Sequence, residues 1–385
     1  MSPPDRVPLS TALLRAVQAN CDIADARHAA DLTLCNYLLQ MREFFRWERG
    51  LPFGAALPHA DVGEWIARRE RLWDEMAGRA FGALPLPGGD GTIDPFEVDR
   101  LNEHLLPQGW LYGAGLAAGE RPVFFLAQCH EVGRRDGLRV QQAGRELARG
   151  LAAPPAALAA GADGPIVVRR ESLARACWER YEAFKLRPVA GSAFAAVVQA
   201  YGFDADGFDA ALPRWLEDHT EIALLHELGE YRAGQSLGPG WNAMRAALPS
   251  RRAALQAAAL RDLLADLGTT LPVLLERGAA APLHAWFAGY EGLREALFPS
   301  LVDAYRAWHR GDAGQALRRA IALGHAHFEA MAQELLALHA RSGDGSAIAR
   351  RLDSDAAVCR PDTAPSAITI GQVRFIPVPP SRASP

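Results

Sequence analysis

No stretch of the sequence approaches the ~18 to 20 uninterrupted apolar residues of a membrane-spanning helix, so no membrane is expected as a partner. Cysteine is scarce. The five residues Cys21, Cys35, Cys129, Cys177 and Cys359 are odd in number, scattered, and without a Cys-x-x-Cys pair. That pattern supports neither a disulfide framework nor a thiolate zinc cluster, and reduced thiols are expected. A basic excess is missing too: the formal net charge is −4 and the pI is near 6.3. Non-specific binding of nucleic acid needs a positive field that this balance does not supply. There is no Walker loop and no Gly-x-Ser-x-Gly elbow, hence no motif for cradling phosphate or for serine hydrolysis. The opening stretch "MSPPDRVPLSTALLRAVQANCD" interrupts its apolar residues with Arg15, Gln18 and Asn20, so no secretory leader is expected and the reading is cytoplasmic.

What is present is ordinary globular material, 385 residues with 49% hydrophobic and 22% charged side chains, enough for two cores. Helical periodicity runs over 9–49 and 61–80. The short aromatic and β-branched runs "GWLYGAGL" and "RPVFFLAQCH" read as a hairpin, and 164–170 as a third strand. The Ala/Pro/Gly segment 151–164 reads as a linker or long surface loop. Helices are then predicted from Ser172 to the Pro188 break and over 192–201, 206–235, 250–276, 281–298, 299–310 and 313–340. After 345 the helical period fades, and "AITIGQVRFIPV" alternates as a short strand pair would. The expected fold class is α-rich α+β. Residues 1–165 form helices with a small antiparallel sheet, 166–345 an all-α helical bundle, and 346–385 an extended tail with short strands.

The stretch carrying the most chemistry is "HELGE", 226–230. With a second histidine in place of Glu230 it would be the metallopeptidase helix, in which two histidines at i and i+4 hold zinc and the glutamate activates water. Glu230 breaks that identity but keeps the geometry, because a carboxylate is a good ligand for iron or manganese. Rotating by about 100° per residue puts His219, His226 and Glu230 in one stripe, away from the apolar arc of Ile222, Leu224, Leu225 and Leu228. Glu221 falls inside that arc and needs a cationic partner, for which Arg214 and Arg232 project at a similar angle. Other helices offer same-face groups: Asp262 with Asp266, His284 with Glu291 and Glu295, and His327 with Glu334. Inward-pointing carboxylates and histidines on several helices are the raw material of a bundle metal site. Solvated faces and structural ion pairs use the same spacings. His28, Asp31 and Cys35 form a lesser candidate set. Cys129 and His130, adjacent on a strand, face opposite ways and cannot act as a dyad. The cluster "MREFFRWERGLPFG" reads as core aromatics with an arginine rim, or as a packing surface against the second domain.

Taken together, "CNYLLQMREFFRWERGLPFG", "VVRRESLARACWERYEAF", "LLHELGE" and "ALRDLLADLGTTLPVLLE" resemble a two-part bacterial family of conserved proteins of unknown function, which implies no activity and no site residue. The leading expectation therefore rests on the residues: a metal-binding helical domain holding iron or manganese, with zinc less suited, and acting as an oxidoreductase. His226 and Glu230 are the first ligands, Glu227 the acid–base group, and Asp262, Asp266, Glu291 and His327 opposing ligands or groups that support the ligands from behind. The alternative is a non-catalytic scaffold whose charged residues are solvated; a zinc-dependent hydrolase is more remote. Self-association into a homo-oligomer is compatible with either.

Overall fold

Ser10 opens the first helix by accepting a hydrogen bond from the Leu13 N–H (3.5 Å). A computed structural model describes residues 8–89, 91–117, 121–158, 164–204 and 207–360. The predicted helix over 9–49 is broken: α1 (Thr11–His28) ends in a 3-10 turn, and α2 (Leu34–Glu48) starts afresh after Leu32 and Thr33. α3 (His59–Met76) follows, then a short strand pair β1 (Leu84–Pro85) and β2 (Thr92–Ile93), and α4 (Val98–Leu105). Most of the aromatic cluster is core, while Phe53 packs against Trp178 and Phe208 of the carboxy-terminal part. Phe44 and Phe45 meet Trp65 edge to face at 5.6 and 5.8 Å, with Arg46 and Arg69 buried beside them.

The sheet is larger than the sequence led us to expect. Strands β3 (Trp110–Ala117), β4 (Arg121–Arg135), β5 (Leu138–Arg149), β6 (Ala156–Leu158) and β7 (Ile166–Arg169) pair in the order β3-β4-β5-β7-β6. All neighbours are antiparallel except β5 and β7. Register shifts between Leu126 and Glu131 of β4 bend the ladder, as bulges do, and the sheet curls. β5 escaped the sequence reading because it buries Gln141, Gln142, Glu146 and Arg149, so its hydropathy does not alternate like that of a half-buried strand.

Asp25 of α1 ties that sheet to the amino-terminal helices by accepting the Leu151 N–H on both oxygens (3.0 and 2.9 Å). It is 5% exposed, and burial pushes its carboxyl up to about 8 despite that hydrogen bond. The unfolded chain releases this proton near pH 4 and the folded chain near pH 8. The folded state therefore binds more protons between those values, and this stabilising contribution is lost as pH rises through the window, by up to about 1.4 kcal/mol per pH unit. Asp25→Asn should flatten that slope in urea titrations between pH 4 and 9. A variant with the wild-type slope would show that Asp25 ionises normally.

The remaining elements are α5 (Arg170–Leu186), α6 (Ala193–Tyr201), α7 (Phe208–Leu237), α8 (Gly240–Ala246), α9 (Arg251–Ala265), α10 (Leu271–Arg277), α11 (Ala280–Ala288), α12 (Leu293–Leu297), α13 (Ser300–His309), α14 (Gln315–Ser342) and α15 (Gly345–Leu352). One apolar core joins β5 and β7 to these helices; a second lies between α1 and strands β3 and β4, and a third between α2 and α3. Two predicted helices are interrupted. Gly292, at φ 68°, separates α11 from α12 within 281–298. Between α9 and α10 a π turn spans Asp266–Thr270, with the Leu271 N–H reaching back to the Asp266 carbonyl. Pro272 accounts for it, since its ring would clash with the carbonyl four residues back and it has no N–H to donate. α15 is a correction: Asp344 caps it through the Ser346 N–H (2.8 Å), so residues 345–352 are helical rather than extended. The strand pair expected in "AITIGQVRFIPV" lies outside the described residues. Among the described residues no helix is long and apolar enough to cross a membrane.

Candidate metal centre

α7 and α9 cross at Gly229. A Cβ there would lie 2.5 Å from the Ala265 carbonyl oxygen and 2.9 Å from its carbon, so the two backbones meet where a side chain is missing. Around that crossing Leu225, Leu228, Leu260, Leu263 and Leu264 are buried, each worth roughly 1.5 to 3 kcal/mol. The close approach turns the polar stripe of α7 toward α9, with His226 about one turn before Gly229 and Glu230 directly after it. His226 and Glu230 are thus covered by protein carrying carboxylates.

Among the described residues, one group of three is spaced to hold a metal ion: His226, Glu230 and Asp262 each offer an atom within 4.8 Å of the others, and all three are half-buried. Behind them lies Asp266, fully buried at the start of the π turn. Its Oδ1 contacts His226 Nδ1 at 2.8 Å and accepts from Trp286 Nε1 at 3.3 Å, while Oδ2 accepts from Arg294 Nη1 at 3.0 Å. Arg294 is itself steadied by donating to the Gly289 carbonyl (2.8 Å). With Nδ1 engaged, Nε2 is the imidazole atom left for a metal. A carboxylate behind a histidine in this way fixes ring orientation and raises its basicity as a ligand.

The charges are strongly coupled. Burial opposes ionisation of His226, but the Asp266 carboxylate more than compensates and lifts the imidazolium to about 10. Burial would raise Asp266, yet His226 and Arg294 hold its carboxyl below the usual range. Glu230 is likewise penalised by burial but held low, first by Arg261, which donates to Oε2 at 2.7 Å. Asp262 goes the other way. Burial pushes it up to about 7 against the charge of His226, and its hydrogen bond with Glu230 adds to the rise. Two carboxylates sharing a proton in a partly desolvated pocket is an arrangement that a cation would relieve.

The remaining sequence candidates fall elsewhere. Glu227 is buried and its charge is felt at His226, but it is turned by one residue around the helix and does not belong to the group of three. Glu291 precedes α12 and pairs with Arg180 (2.9 Å). His327 faces the Ala357 carbonyl at 3.3 Å, and its neighbour Glu334 is clasped by Arg351 at 2.6 and 2.7 Å. Neither joins the site. His284 hydrogen-bonds Tyr305 (2.8 Å), and burial lowers it to about 4. His219, expected in the stripe, stacks on Trp215 with ring centres 4.2 Å apart. Glu221 has the ion pair its position demanded, but with Arg135 (2.5 and 2.6 Å) and Arg277 (2.7 Å). Arg214 donates instead to the Tyr201 carbonyl, and Arg232 to Asp136. Sequence reasoning missed Arg261, Arg294 and Trp286. The only trace was that Arg261 adjoins Asp262.

Comparison with known proteins follows the division of the chain. Residues 12–169 match the amino-terminal domain, and residues 174–355 the carboxy-terminal domain, of a family of unknown function (DUF6866). No curated protein and no solved structure matches the chain.

Proposed function

Because the chain belongs to this two-domain family of unknown function, DUF6866, we propose its role from site geometry: it binds one iron or manganese ion at His226, Glu230 and Asp262. The observation supporting this is the convergence of three ligand atoms within 4.8 Å, with the far side of the imidazole anchored by Asp266. One nitrogen and two carboxylates suit iron or manganese better than zinc, whose structural sites favour thiolate and imidazole. Asp266 serves as a positioning residue behind His226, one of the two roles the sequence leaves open for it. Three protein ligands leave other positions on a six-coordinate ion for water or a co-substrate, the condition for oxidoreductase chemistry at the metal.

Loading requires that the protons on His226 and on the Glu230–Asp262 pair leave as the ion enters, so binding should release protons. The test is elemental analysis of the full chain purified after supplementation with iron, manganese or zinc. Wild type should carry about one iron or manganese ion per chain, and His226→Ala and Asp262→Ala roughly a tenth of that or less. Absence of metal under all three supplements would sink the proposal; stoichiometric zinc alone would overturn the choice of ion.

A further inference from the structure

One face of the curled sheet borders a cavity of about 840 Å³, remote in sequence from the metal ligands and lined chiefly by apolar groups. β3 contributes Gly115, where an added Cβ would meet nothing within 4 Å, and β4 contributes Val123 and Phe125. Val167 of β7 and Ala157 of β6, paired in register with it, complete the lining. Glycine on β3 is what leaves the room: at Gly113 the space of a side chain is taken by the Phe125 ring, and at Gly115 it is open.

One end of this cavity is Arg169, 3% exposed. Its Nε and Nη2 donate to the two oxygens of Glu146 at 2.7 and 2.9 Å, and its guanidinium lies 4.5 Å from the centre of the Phe125 ring. Nη1 is buried and has no acceptor. Nor have the buried Arg149 Nη2 and Arg175 Nε, the other arginines whose charges act on Glu146. A buried guanidinium N–H without an acceptor costs about 1 to 3 kcal/mol and is uncommon in folded proteins. The acidic groups at the rim do not supply one: Glu97 pairs with Arg100 (3.0 Å) and Asp99 with Arg139 (3.3 Å).

An apolar chamber of ordinary ligand size, with an unmatched arginine donor buried against the Phe125 ring at one end, describes a binding pocket by its chemistry. We propose that it takes an aliphatic monocarboxylic acid, the carboxylate accepting from Arg169 Nη1 and the chain lying along β3 and β4. The Phe125 side chain, stacked on the guanidinium, would turn aside to admit the head group. This proposal is independent of the metal reading.

Isothermal titration of the full chain at pH 7.5 with decanoic acid and with decanol as probes tests it. Decanoate should bind saturably, and decanol about tenfold more weakly or worse, the scale of a charge-assisted hydrogen bond. Arg169→Gln should remove most of that difference. Gly115→Trp, which fills the chamber while leaving Arg169 and Glu146 in place, should weaken both probes, and it carries the test if the Arg169 variant unfolds. Lack of saturable binding by decanoate, equal affinity for acid and alcohol, or undiminished binding by Gly115→Trp would overturn the proposal.

Discussion

Gly229→Val is expected to lower the unfolding free energy by about 3 kcal/mol or more, at the upper end of the cost of overpacking. The reason is what a Cβ would meet: the Ala265 carbonyl group, which is backbone and cannot swing away. To fit the side chain, α7 and α9 must separate along their crossing, and Leu225, Leu228 and Leu264 must lose contact. His226 and Glu230 stand on one helix and Asp262 on the other, so the same separation should widen the group of three and abolish metal retention. Gly234→Ala is the control on the same helix. A Cβ there meets nothing within 4 Å, so helix propensity alone should apply, a gain of up to about 1 kcal/mol. Urea midpoints and metal content of the two variants decide it; a wild-type midpoint for Gly229→Val would show that the helices do not meet as described.

Asp266→Ala should cost about 3 to 5 kcal/mol, the range for removing one partner from a buried ion pair. The carboxylate is fully buried and engages His226, Trp286 and Arg294 at once, so its loss strands a cation and a partly buried imidazole. Asp266→Asn should cost less, since an amide oxygen can still accept one of those bonds. Both variants should also lower metal affinity by about 10 to 100-fold, as losses of a partner behind a ligating histidine do. The two readouts separate the structural role from the functional proposal. Destabilisation follows from the ion pair with or without a metal, whereas the fall in affinity occurs only if His226 is a ligand. A destabilised variant that holds metal as tightly as wild type would refute the site while leaving the fold intact.

The helices that bear the site were legible because helical rotation is a local rule: His226 and Glu230 share a face at i and i+4 wherever the helix packs. Asp262 and Asp266 could be paired on the same ground, although the π turn beginning at Asp266 gives them different jobs. Pro272 is the visible sign of that turn, inside a stretch whose periodicity reads as one continuous helix over 250–276. Glu291 and Glu295 misled for the opposite reason, since the spacing assumed an unbroken helix, whereas α11 ends at Ala288 and Gly292 opens the separate α12. Strand β5 was hidden because its buried positions are filled by Gln141, Gln142, Glu146 and Arg149.

By itself, then, the sequence determined the helical character of the chain, its two-part layout, the absence of a membrane-spanning helix among the described residues, and the faces on which histidines and carboxylates sit. It could name the need of Glu221 for a cation but not the cation, because Arg135 lies 86 residues away and Arg277 lies 56 away. Only the tertiary structure decided that α9 covers the "HELGE" face and brings Asp262 to Glu230, with Asp266 against His226. The physical reason is the missing side chain at Gly229, which lets two backbones touch and exchanges water for carboxylates over the stripe.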